Sequence, residues 1–430
     1  MNTLPLLSFT NATVKRGTAI LFENISFSLK PGEHWAITGA GGSGKSAFLE
    51  IISGNLPVFN TELQHTLEIH VQQRKEKQPF FSWQQLIGHV TAKHSFRNLS
   101  NTTTFYYQQR FNASDSDDVE TVEEYLHGFK QETASVTWTY ARVMEKFNLL
   151  ALKDKHLIKL SNGETKRLLL AAALMKNPLV LLLDDPFTGL DVQTRKELHQ
   201  LLAEIAASGI SIIMSTSPAE IPDVITHVAV LHKGTITTSV EKKQFKPDVV
   251  FLSTLPAFDK TELRSLISQS TQPAYNTIVH IQDVTICYDE KVILDQVNWQ
   301  IKPGERWALT GPNGAGKSTL LSLINGDNPQ AYANTITLFD RKRGSGESVW
   351  DIKKETGFVS PELFQYFPTD HLCVDVIESG FYDTMGLFRK SLPANALLAL
   401  RWMKLLGIET AAQQLFKNTS TSTQRLCLLI

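Results

Sequence analysis

The sequence has few cysteines and almost no net charge, and each of these features excludes a class of protein. Its three cysteines lie far apart in 430 residues, so neither a disulfide framework nor a cysteine-based zinc site is expected. The 42 lysines and arginines nearly cancel the 43 aspartates and glutamates, so no direct binding to nucleic acid is expected. No stretch approaches the ~18 apolar residues of a transmembrane helix. We therefore expect a cytoplasmic protein that reaches a membrane only through a partner.

What the sequence does contain is an internal duplication. The segment Ile20–Trp35, ILFENISFSLKPGEHW, aligns without a gap with Val292–Trp307, VILDQVNWQIKPGERW. In each copy a lysine of a glycine-rich loop follows ten residues after the tryptophan. The repeat predicts two copies of one domain, at 1–241 and 277–430, joined by a linker at 242–276 that contains one short helix.

Each copy begins with alternating apolar residues, a pattern typical of a half-buried antiparallel strand. A short strand is expected next, at Trp35–Thr38 and at Trp307–Thr310, followed by a loop and a helix that ends near Gly54 or Gly326. The first copy then continues with a continuously apolar run that predicts a strand buried on both faces of a parallel sheet. In the first copy we expect this buried strand at Leu179–Leu183, a helix at Val192–Ala207, a strand at Ile210–Ser215 and a hairpin at Lys233-Gly234.

The two glycine-rich loops match the pattern GxxxxGK[ST], each after a predicted strand and before an apolar helix. Glycines allow successive backbone N–H groups to face phosphate oxygens, and the dipole of the following helix favours an anion. The lysine then reaches the phosphates and the serine hydroxyl binds Mg²⁺. The sequence therefore predicts two ATP-binding loops, formed by Gly39, Ala40, Gly41, Gly42, Ser43, Gly44, Lys45 and Ser46, and by Gly311, Pro312, Asn313, Gly314, Ala315, Gly316, Lys317, Ser318 and Thr319.

A third motif, LSNGE at 160–164, precedes the apolar run and the pair Asp184-Asp185. Ser161 is expected to cap a helix whose first N–H groups can bind a phosphate. This order of motifs, with Asp191 after them, resembles the ABC ATPase family: Walker A, signature, Walker B and D-loop. The resemblance covers nearly the whole chain and implies an α/β fold. It implies two tandem P-loop nucleotide-binding domains, each with a parallel RecA-like core, an antiparallel β subdomain and a helical subdomain, the second one incomplete.

The resemblance also implies how ATP is held. One cassette's Walker A loop faces the other cassette's signature, so the two cassettes form an intramolecular dimer around ATP. Ser161 and Gly163 would contact the phosphate held by the second loop, and Ser420 the phosphate held by the first. Tyr288 matches the aromatic residue that stacks on adenine, although an ordinary strand residue is the alternative; Arg16 takes this position in the first copy. The residues expected at Mg²⁺ or in catalysis are Ser46, Ser318, Asp184, Asp185 and Gln109, with Gln108 as the alternative to Gln109.

Four departures from the family pattern bear on hydrolysis. Asp185 replaces the catalytic glutamate and is one methylene shorter, so we expect slower hydrolysis. Ser217 stands near the position of the switch histidine, and Ser422 replaces a signature glycine, where a side chain would crowd the phosphate. The sequence stops at Ile430 within the second signature helix, and we expect it to be part of a longer protein. From these departures we predict that the first loop's pocket holds ATP and that the second loop's pocket hydrolyses it.

The segments Gly326–Tyr332 and Leu338–Lys354 resemble the bacterial ModF-type double-cassette ATPases. This resemblance implies the ATPase subunit of an importer, with a membrane permease as partner and a molybdate-type anion as one cargo. A soluble ATP-dependent switch and a ribosome-associated factor are the alternatives. The linker is short and mixed in composition and the chain is not basic, and both features disfavour the latter. We interpret the basic run Arg341–Arg343 as a solvated loop. Residues 57–104 contain no motif that we recognise, and we interpret them as a partner-docking elaboration.

Overall fold

The structure is a computed structural model. It describes residues 4–17, 19–61, 64–67, 71, 82–92, 120–129, 137–247, 259–268, 274–288, 291–312, 314–360, 363–364, 367–368 and 370–430. By their contacts the residues divide into two compact units, 1–256 with 420–423 and 257–419 with 424–430. In the part of the chain that is described, no helix is both long and apolar enough to cross a bilayer.

The first unit is built on two sheets. Its strands are β1 (Leu7–Arg16), β2 (Ala19–Leu29), β3 (Trp35–Gly39), β4 (Val58–Phe59), β5 (Gln64–His65), β6 (Ile87–Val90), β7 (Val180–Asp184), β8 (Ser211–Ser215), β9 (His227–His232) and β10 (Thr235–Glu241). A six-stranded sheet has the order β10-β9-β3-β8-β7-β6, in which only β10 runs antiparallel to its neighbour. A smaller antiparallel sheet has the order β2-β1-β4, and β5 also pairs with β1.

Helices cover the parallel sheet of the first unit. They are α1 (Lys45–Ile52), α2 (Val122–His127), α3 (Tyr140–Lys146), α4 (Asn162–Met175) and α5 (Val192–Ala207). The predicted apolar run forms β7, whose five residues are all buried, as expected for a strand with helices on both faces. The predicted helix at 192–207 is confirmed as α5, and Asp191 caps it by accepting a hydrogen bond of 2.7 Å from the Thr194 amide.

The predicted hairpin is confirmed as well. Strands β9 and β10 pair antiparallel, and the two residues between them, Lys233 and Gly234, have φ angles of 45° and 77°. Two consecutive left-handed residues are what a tight hairpin turn requires. Gly234 is required for a second reason, because a Cβ atom there would lie 2.3 Å from the Leu21 carbonyl oxygen.

After residue 256 the chain repeats the first elements of the first unit. The elements are α6 (Lys260–Ile267), β11 (Val279–Tyr288), β12 (Lys291–Ile301), α7 (Lys317–Ile324), β13 (Thr335–Leu338), β14 (Arg341–Lys342), α8 (Val349–Lys353), α9 (Cys373–Ser379), α10 (Pro393–Leu405) and α11 (Thr421–Leu429). The sheet here has the order β12-β11-β13-β14 and is antiparallel throughout. Helix α6 is the short helix expected in the linker, and its Glu262 forms an ion pair of 2.9 Å with Arg401 of α10.

The duplication extends to individual hydrogen bonds. In the Lys-Pro-Gly-Glu turns, Glu33 accepts bonds from the Lys30 amide and from the indole of Trp35, both at 3.0 Å. Glu305 accepts the equivalent bonds from Lys302 and Trp307, at 2.9 and 3.0 Å. The same side chain therefore closes the turn and orients the tryptophan in both copies.

The bulges of the paired strands are duplicated too. Asn11 and Asp283 occupy equivalent positions in β1 and β11, with φ angles of 53° and 49°. Each amide donates to a side chain of the partner strand, to Ser26 Oγ at 2.9 Å and to Asn298 Oδ1 at 3.0 Å. The pairing register shifts at both places, which identifies the positions as β-bulges.

The short strand predicted at Trp307–Thr310 is wrong, because this segment has no strand conformation. In the first unit, β3 lies between β8 and β9 and gains hydrogen bonds from both. Among the described residues of the second unit no strand lies beside Trp307–Thr310, so its backbone has no ladder to join. The environment of the tryptophan changes accordingly: Trp35 is 6% exposed and Trp307 is 58% exposed.

The segment 57–104, interpreted as a partner-docking elaboration, contributes its central part to the main sheet, and the docking role stays a prediction. Residues 87–90 form β6, which pairs in parallel with β7 and completes the edge of the main sheet. Gly88 allows this pairing, because a Cβ atom there would meet Leu181 and Pro178 at 3.2 and 3.3 Å. The sequence contains one signal for this segment: a glycine and a valine stand two positions apart at Gly88 and Val90, as they do at Gly357 and Val359 in the second copy.

The different burial of the two equivalent tryptophans generates a prediction. Trp35 packs edge-on against Phe27 and stacks on His227, with ring centroids 5.1 and 4.7 Å away. We expect Trp35→Ala to lower the free energy of unfolding of its unit by about 3–5 kcal/mol, the usual loss for a buried aromatic side chain. Trp307→Ala is the matched control and should cost about 1 kcal/mol or less. Calorimetry of the full chain measures both losses, and equal losses would contradict the assigned environments.

Candidate nucleotide-binding sites

The first glycine-rich loop joins β3 to α1 and lies at the carboxyl edge of the parallel sheet. Its backbone leaves no room for side chains at two glycines. Gly39 has a φ angle of 146°, and a Cβ atom there would lie 2.1 Å from the Leu231 carbonyl oxygen. Gly44 has a φ angle of 101°, and a Cβ atom there would lie 2.8 Å from the ring of Phe22. The predicted loop therefore has the tight curvature that phosphate binding by backbone N–H groups requires.

Lys45 is the first residue of α1 and folds back over the loop. Its Nζ donates to the carbonyl oxygens of Gly39 and Ala40 at 2.9 and 3.0 Å. Burial lowers the pKa of Lys45 below its ordinary value, and the nearby carboxylates of Asp185 and Asp184 oppose this effect. The ammonium group is thus held at the loop, between backbone carbonyls and two carboxylates.

Helix α1 begins within this loop and presents a suitable end to an anion. Gly44 is its N-cap residue, and the first turn contains no acidic side chain that would occupy the positive end of the dipole. The buried hydroxyl of Ser43 finds no hydrogen-bond partner among the described residues. Ser46 follows Lys45 in the first turn, where the sequence predicts a ligand for Mg²⁺.

Asp184 and Asp185 lie where β7 ends, at the same edge of the sheet. Ser215, the last residue of the adjacent β8, donates from its hydroxyl to Asp184 Oδ1 at 2.5 Å. The same hydroxyl oxygen accepts the Asp185 amide at 2.8 Å. Asp185 has a φ angle of 46°, a left-handed conformation that is uncommon for residues other than glycine. One serine therefore fixes both acidic residues, and Asp185 is held in a strained backbone conformation.

The signature segment has the predicted capped helix start. Ser161 caps α4, and its hydroxyl accepts the Glu164 amide at 3.3 Å while Glu164 Oε2 accepts the Ser161 amide at 2.7 Å. Lys155 binds the same carboxylate oxygen at 2.8 Å. The expected cap is therefore confirmed as a reciprocal capping box. Gly163 is buried in the first turn of this helix.

The second glycine-rich loop repeats the lysine arrangement of the first. Lys317 donates to the carbonyl oxygens of Gly311 and Pro312 at 2.8 and 2.7 Å. Gly316 has a φ angle of 83° and caps α7, and a Cβ atom there would meet Leu294 at 2.8 Å. Gly314 also has a positive φ angle, of 83°. The remaining predicted residues of this loop that are described are Ala315, Ser318 and Thr319.

The residues predicted to contact the base differ between the copies. Tyr288 ends β11, is 40% exposed, and its hydroxyl accepts a hydrogen bond of 3.1 Å from Asn328. Arg16, at the equivalent position in β1, forms an ion pair with Glu50 of α1. The copy with the Lys317 loop thus offers the aromatic ring of Tyr288, and the copy with the Lys45 loop offers the ion-paired guanidinium group of Arg16.

The second signature segment begins a helix as the first one does. The Ser420 hydroxyl accepts the Thr423 amide at 3.1 Å, so Ser420 has the capping role of Ser161 in α4. No acidic residue stands in the first turn of α11, so this helix lacks the reciprocal bond that Glu164 makes in α4. Two of the predicted site residues, Gln109 and Asn313, lie outside the described residues, as does Gln108.

Comparison with known proteins decides the family. A family model described as ABC transporter matches residues 22–188 and 294–428. The chain is 32% identical, over 94% of its length and 79% of the relative's, to the ABC transporter ATP-binding protein ModF of Escherichia coli. It is 31% identical, over 89% of its length and 76% of the relative's, to the uncharacterized ABC transporter ATP-binding protein C323.04 of Schizosaccharomyces pombe. This chain belongs to the ABC ATPase family.

As a ModF-type tandem-cassette member of that family, the chain is an ATP-binding protein and a P-loop ATPase. The geometry adds a feature that the sequence did not reveal. His89 of β6 lies near Asp184 at the carboxyl edge of the sheet, and burial lowers its pKa against the opposing effect of Asp184. Thr91 and Ala92 are the residues that follow β6 at this edge.

The family implies Mg²⁺ with the nucleotide, and the chemistry of the residues present fits it. Within the described ranges no three His, Cys, Asp or Glu side chains gather into a metal site, so the protein alone does not form a full ligand set. The Ser46 hydroxyl and the Asp184 carboxylate supply the oxygen ligands that Mg²⁺ prefers. These residues would hold the ion together with phosphate oxygens, and Ser318 is the equivalent of Ser46 in the second loop.

The interpretation of the basic run as a solvated loop is wrong for one of its three residues. Arg343 is 4% exposed, forms an ion pair of 2.8 Å with Glu347 and lies 4.5 Å from the ring centre of Tyr332. Arg341 and Lys342 are exposed as expected. Arg343 is therefore a buried, ion-paired residue of its own hairpin and not a solvated charge. Ser217, near the switch position, donates to Glu220 at 3.2 Å at the start of a short 3₁₀ helix.

The capping box of α4 generates a pH-dependent prediction. Burial acts to raise the pKa of Glu164, but the hydrogen bonds from Lys155 and the Ser161 amide outweigh it and keep the pKa below 4.5. The charged carboxylate is thus the stabilising form. We expect Glu164→Gln to cost about 1 kcal/mol at neutral pH. The difference should persist down to pH 4.5 and disappear as the pH falls through the lowered pKa.

Urea denaturation of the wild type and of Glu164→Gln across this pH range measures the effect. Lys155→Met should cost a similar amount, and the double variant should cost no more than either single variant, because both residues take part in one interaction. Lys159→Met, at an exposed lysine, serves as the control. A stability difference that does not change with pH would contradict the assigned role of the Glu164 charge.

Proposed function

We propose that this chain is an ATP-driven conformational switch in which two ATP molecules lie between the Walker A loop of one cassette and the signature of the other. The observation that supports it is the repetition of one geometry. Lys45 and Lys317 each fold over a glycine-rich loop at the start of a helix, and each loop has a separate capped signature helix available in the sequence. Two phosphate sites in one chain allow nucleotide to control an intramolecular closure.

The two sites are proposed to be unequal. The carboxylates of Asp184 and Asp185 both act on Lys45. We therefore assign hydrolysis to the Lys45 site, and ATP holding to the Lys317 site, beside which Tyr288 offers an exposed aromatic ring for adenine. The opposite assignment, which the sequence led us to expect, stays a prediction. Asp185 is proposed to accept the proton of the attacking water, slowly because of its short side chain.

A comparison of two lysine variants tests this assignment. Lys45→Ala should reduce the rate of ATP hydrolysis by about a hundredfold or more, because it removes the charge that stabilises the transferred phosphate. Lys317→Ala should reduce the rate by about tenfold or less and mainly lower the affinity for ATP. Steady-state ATPase assays and fluorescent-nucleotide titrations measure these effects. Equal losses, or a larger loss in Lys317→Ala, would overturn the assignment.

The partner proposed for the switch is a membrane transporter, reached from the cytoplasm at the inner face of the membrane. The support is that the similar proteins are named ABC transporter ATP-binding proteins. A molybdate-type anion is the cargo suggested by the resemblance to ModF-type proteins. The second candidate is a soluble ATP-dependent switch, and Asp185 favours it, because slow hydrolysis suits a long-lived closed state better than rapid transport.

Fractionation of cells in the presence of ATP separates these candidates. Asp185→Asn should prolong the closed, ATP-bound state, so it should increase binding to any partner that recognises that state. If the partner is a transporter, the variant should accumulate in the washed membrane fraction more than the wild type does. Accumulation in the soluble fraction would support the second candidate, and accumulation with ribosomes would overturn both. Lys45→Ala with Lys317→Ala is the control that should show no ATP-dependent shift.

A further inference from the structure

Lys166 of the signature helix binds the loop that carries Asp185. Its Nζ donates to the carbonyl oxygens of Asp185 and Pro186 at 3.4 and 3.1 Å, and to that of Thr188. An ammonium group has three N–H donors, and three carbonyl oxygens of one turn surround this one. The contact therefore joins α4 to the segment between the Walker B strand and the D-loop.

Together with Ser215, Lys166 binds both peptide groups that flank the Asp185 Cα atom. The Asp185 amide donates to Ser215, and the Asp185 carbonyl accepts from Lys166. Between these two bonds the residue has a φ angle of 46°, a strained conformation that persists only where the surroundings impose it. The orientation of the Asp185 carboxylate depends on that backbone conformation.

Phe187 anchors this loop in the core, but on the side of α4 the loop borders open space. A cavity of about 200 Å³ lies there, lined by Gly163, Lys166, Pro186 and Leu190 among other residues. A loop that borders a cavity has fewer van der Waals contacts, so its hydrogen bonds determine more of its geometry. Lys166 is the side chain that spans from the helix to this loop.

We propose that Lys166 is a positioning residue that holds Asp185 in its catalytic orientation and makes that orientation depend on the signature helix. The inference rests on the proposed function, in which Asp185 activates water at the Lys45 site. The N-terminus of α4, which is capped by Ser161, is proposed to contact the ATP held by the second loop. A shift of α4 therefore reaches Asp185 through the Lys166 ammonium group.

Three variants of the full chain test this proposal. Lys166→Met keeps the length of the side chain and removes its donors, and we expect kcat to fall by about ten- to a hundredfold. The KM for ATP should change less than about twofold, because Lys166 does not contact the nucleotide. Lys166→Arg keeps the charge and the donors and should recover part of the loss. Lys196→Met, at an exposed lysine of α5, should leave kcat unchanged.

A double-variant comparison separates positioning from general stabilisation. If Lys166 acts through Asp185, Lys166→Met should cause no further loss of kcat in an Asp185→Asn background. Multiplicative losses would overturn the proposal, as would a loss of kcat with no recovery in Lys166→Arg.

Hydrogen exchange provides a measurement that does not depend on hydrolysis. The amides of Thr188 and Leu190 donate to the Asp185 and Phe187 carbonyls at 3.3 and 3.2 Å. Lys166→Met should raise their exchange rates severalfold, and Lys196→Met should not. If the wild type hydrolysed no ATP, the proposed function and the catalytic role of Lys166 would both fail. If the exchange rates are unchanged in Lys166→Met, the positioning role of Lys166 is overturned and the proposed function is unaffected.

Discussion

The nucleotide site of the first cassette depends on the parallel pairing of β3, β8 and β7. Parallel strands end at the same edge of a sheet, so this pairing brings together residues that are far apart in the sequence. Gly39 leaves β3 there, Ser215 ends β8, and Asp184 ends β7. The bond of 2.5 Å between Ser215 and Asp184 is possible only because the two strands are adjacent. Without the ladder, the loop would retain its glycines but lose the carboxylates that act on Lys45.

The comparison of the two copies shows how much a repeated sequence fixes by itself. The glutamate that closes each turn, the bulge in each first strand and the lysine folded over each loop recur with nearly the same distances. These interactions are local, or involve only the neighbouring strand of a hairpin, so the same residues form them in both copies. Equivalent side chains of the two copies are not buried to the same extent. Trp35 lies in a core because strands from later in the chain pack around it, whereas Trp307 is exposed.

The signature helix of the first cassette has two functions that the sequence motif alone does not connect. Its N-terminus is capped by Ser161, and its second turn carries Lys166, which binds the loop after Asp185. A rigid helix between two such contacts transmits displacement, because its own hydrogen bonds resist bending. This arrangement links the signature helix to the loop that orients Asp185.

The sequence by itself determined the duplication, both glycine-rich loops, the capped signature helix and the α/β class, because each follows from residue types at short, fixed spacings. It also determined α5 and the buried strand β7, whose apolar periodicity is unambiguous. Only the tertiary structure decided that residues 87–90 complete the main sheet, that Trp307–Thr310 forms no strand and that Arg343 is buried. It alone brought His89 near Asp184 and Lys166 to Asp185. These outcomes depend on which strands and helices pack together, and such long-range pairing leaves no periodic signal in the local sequence.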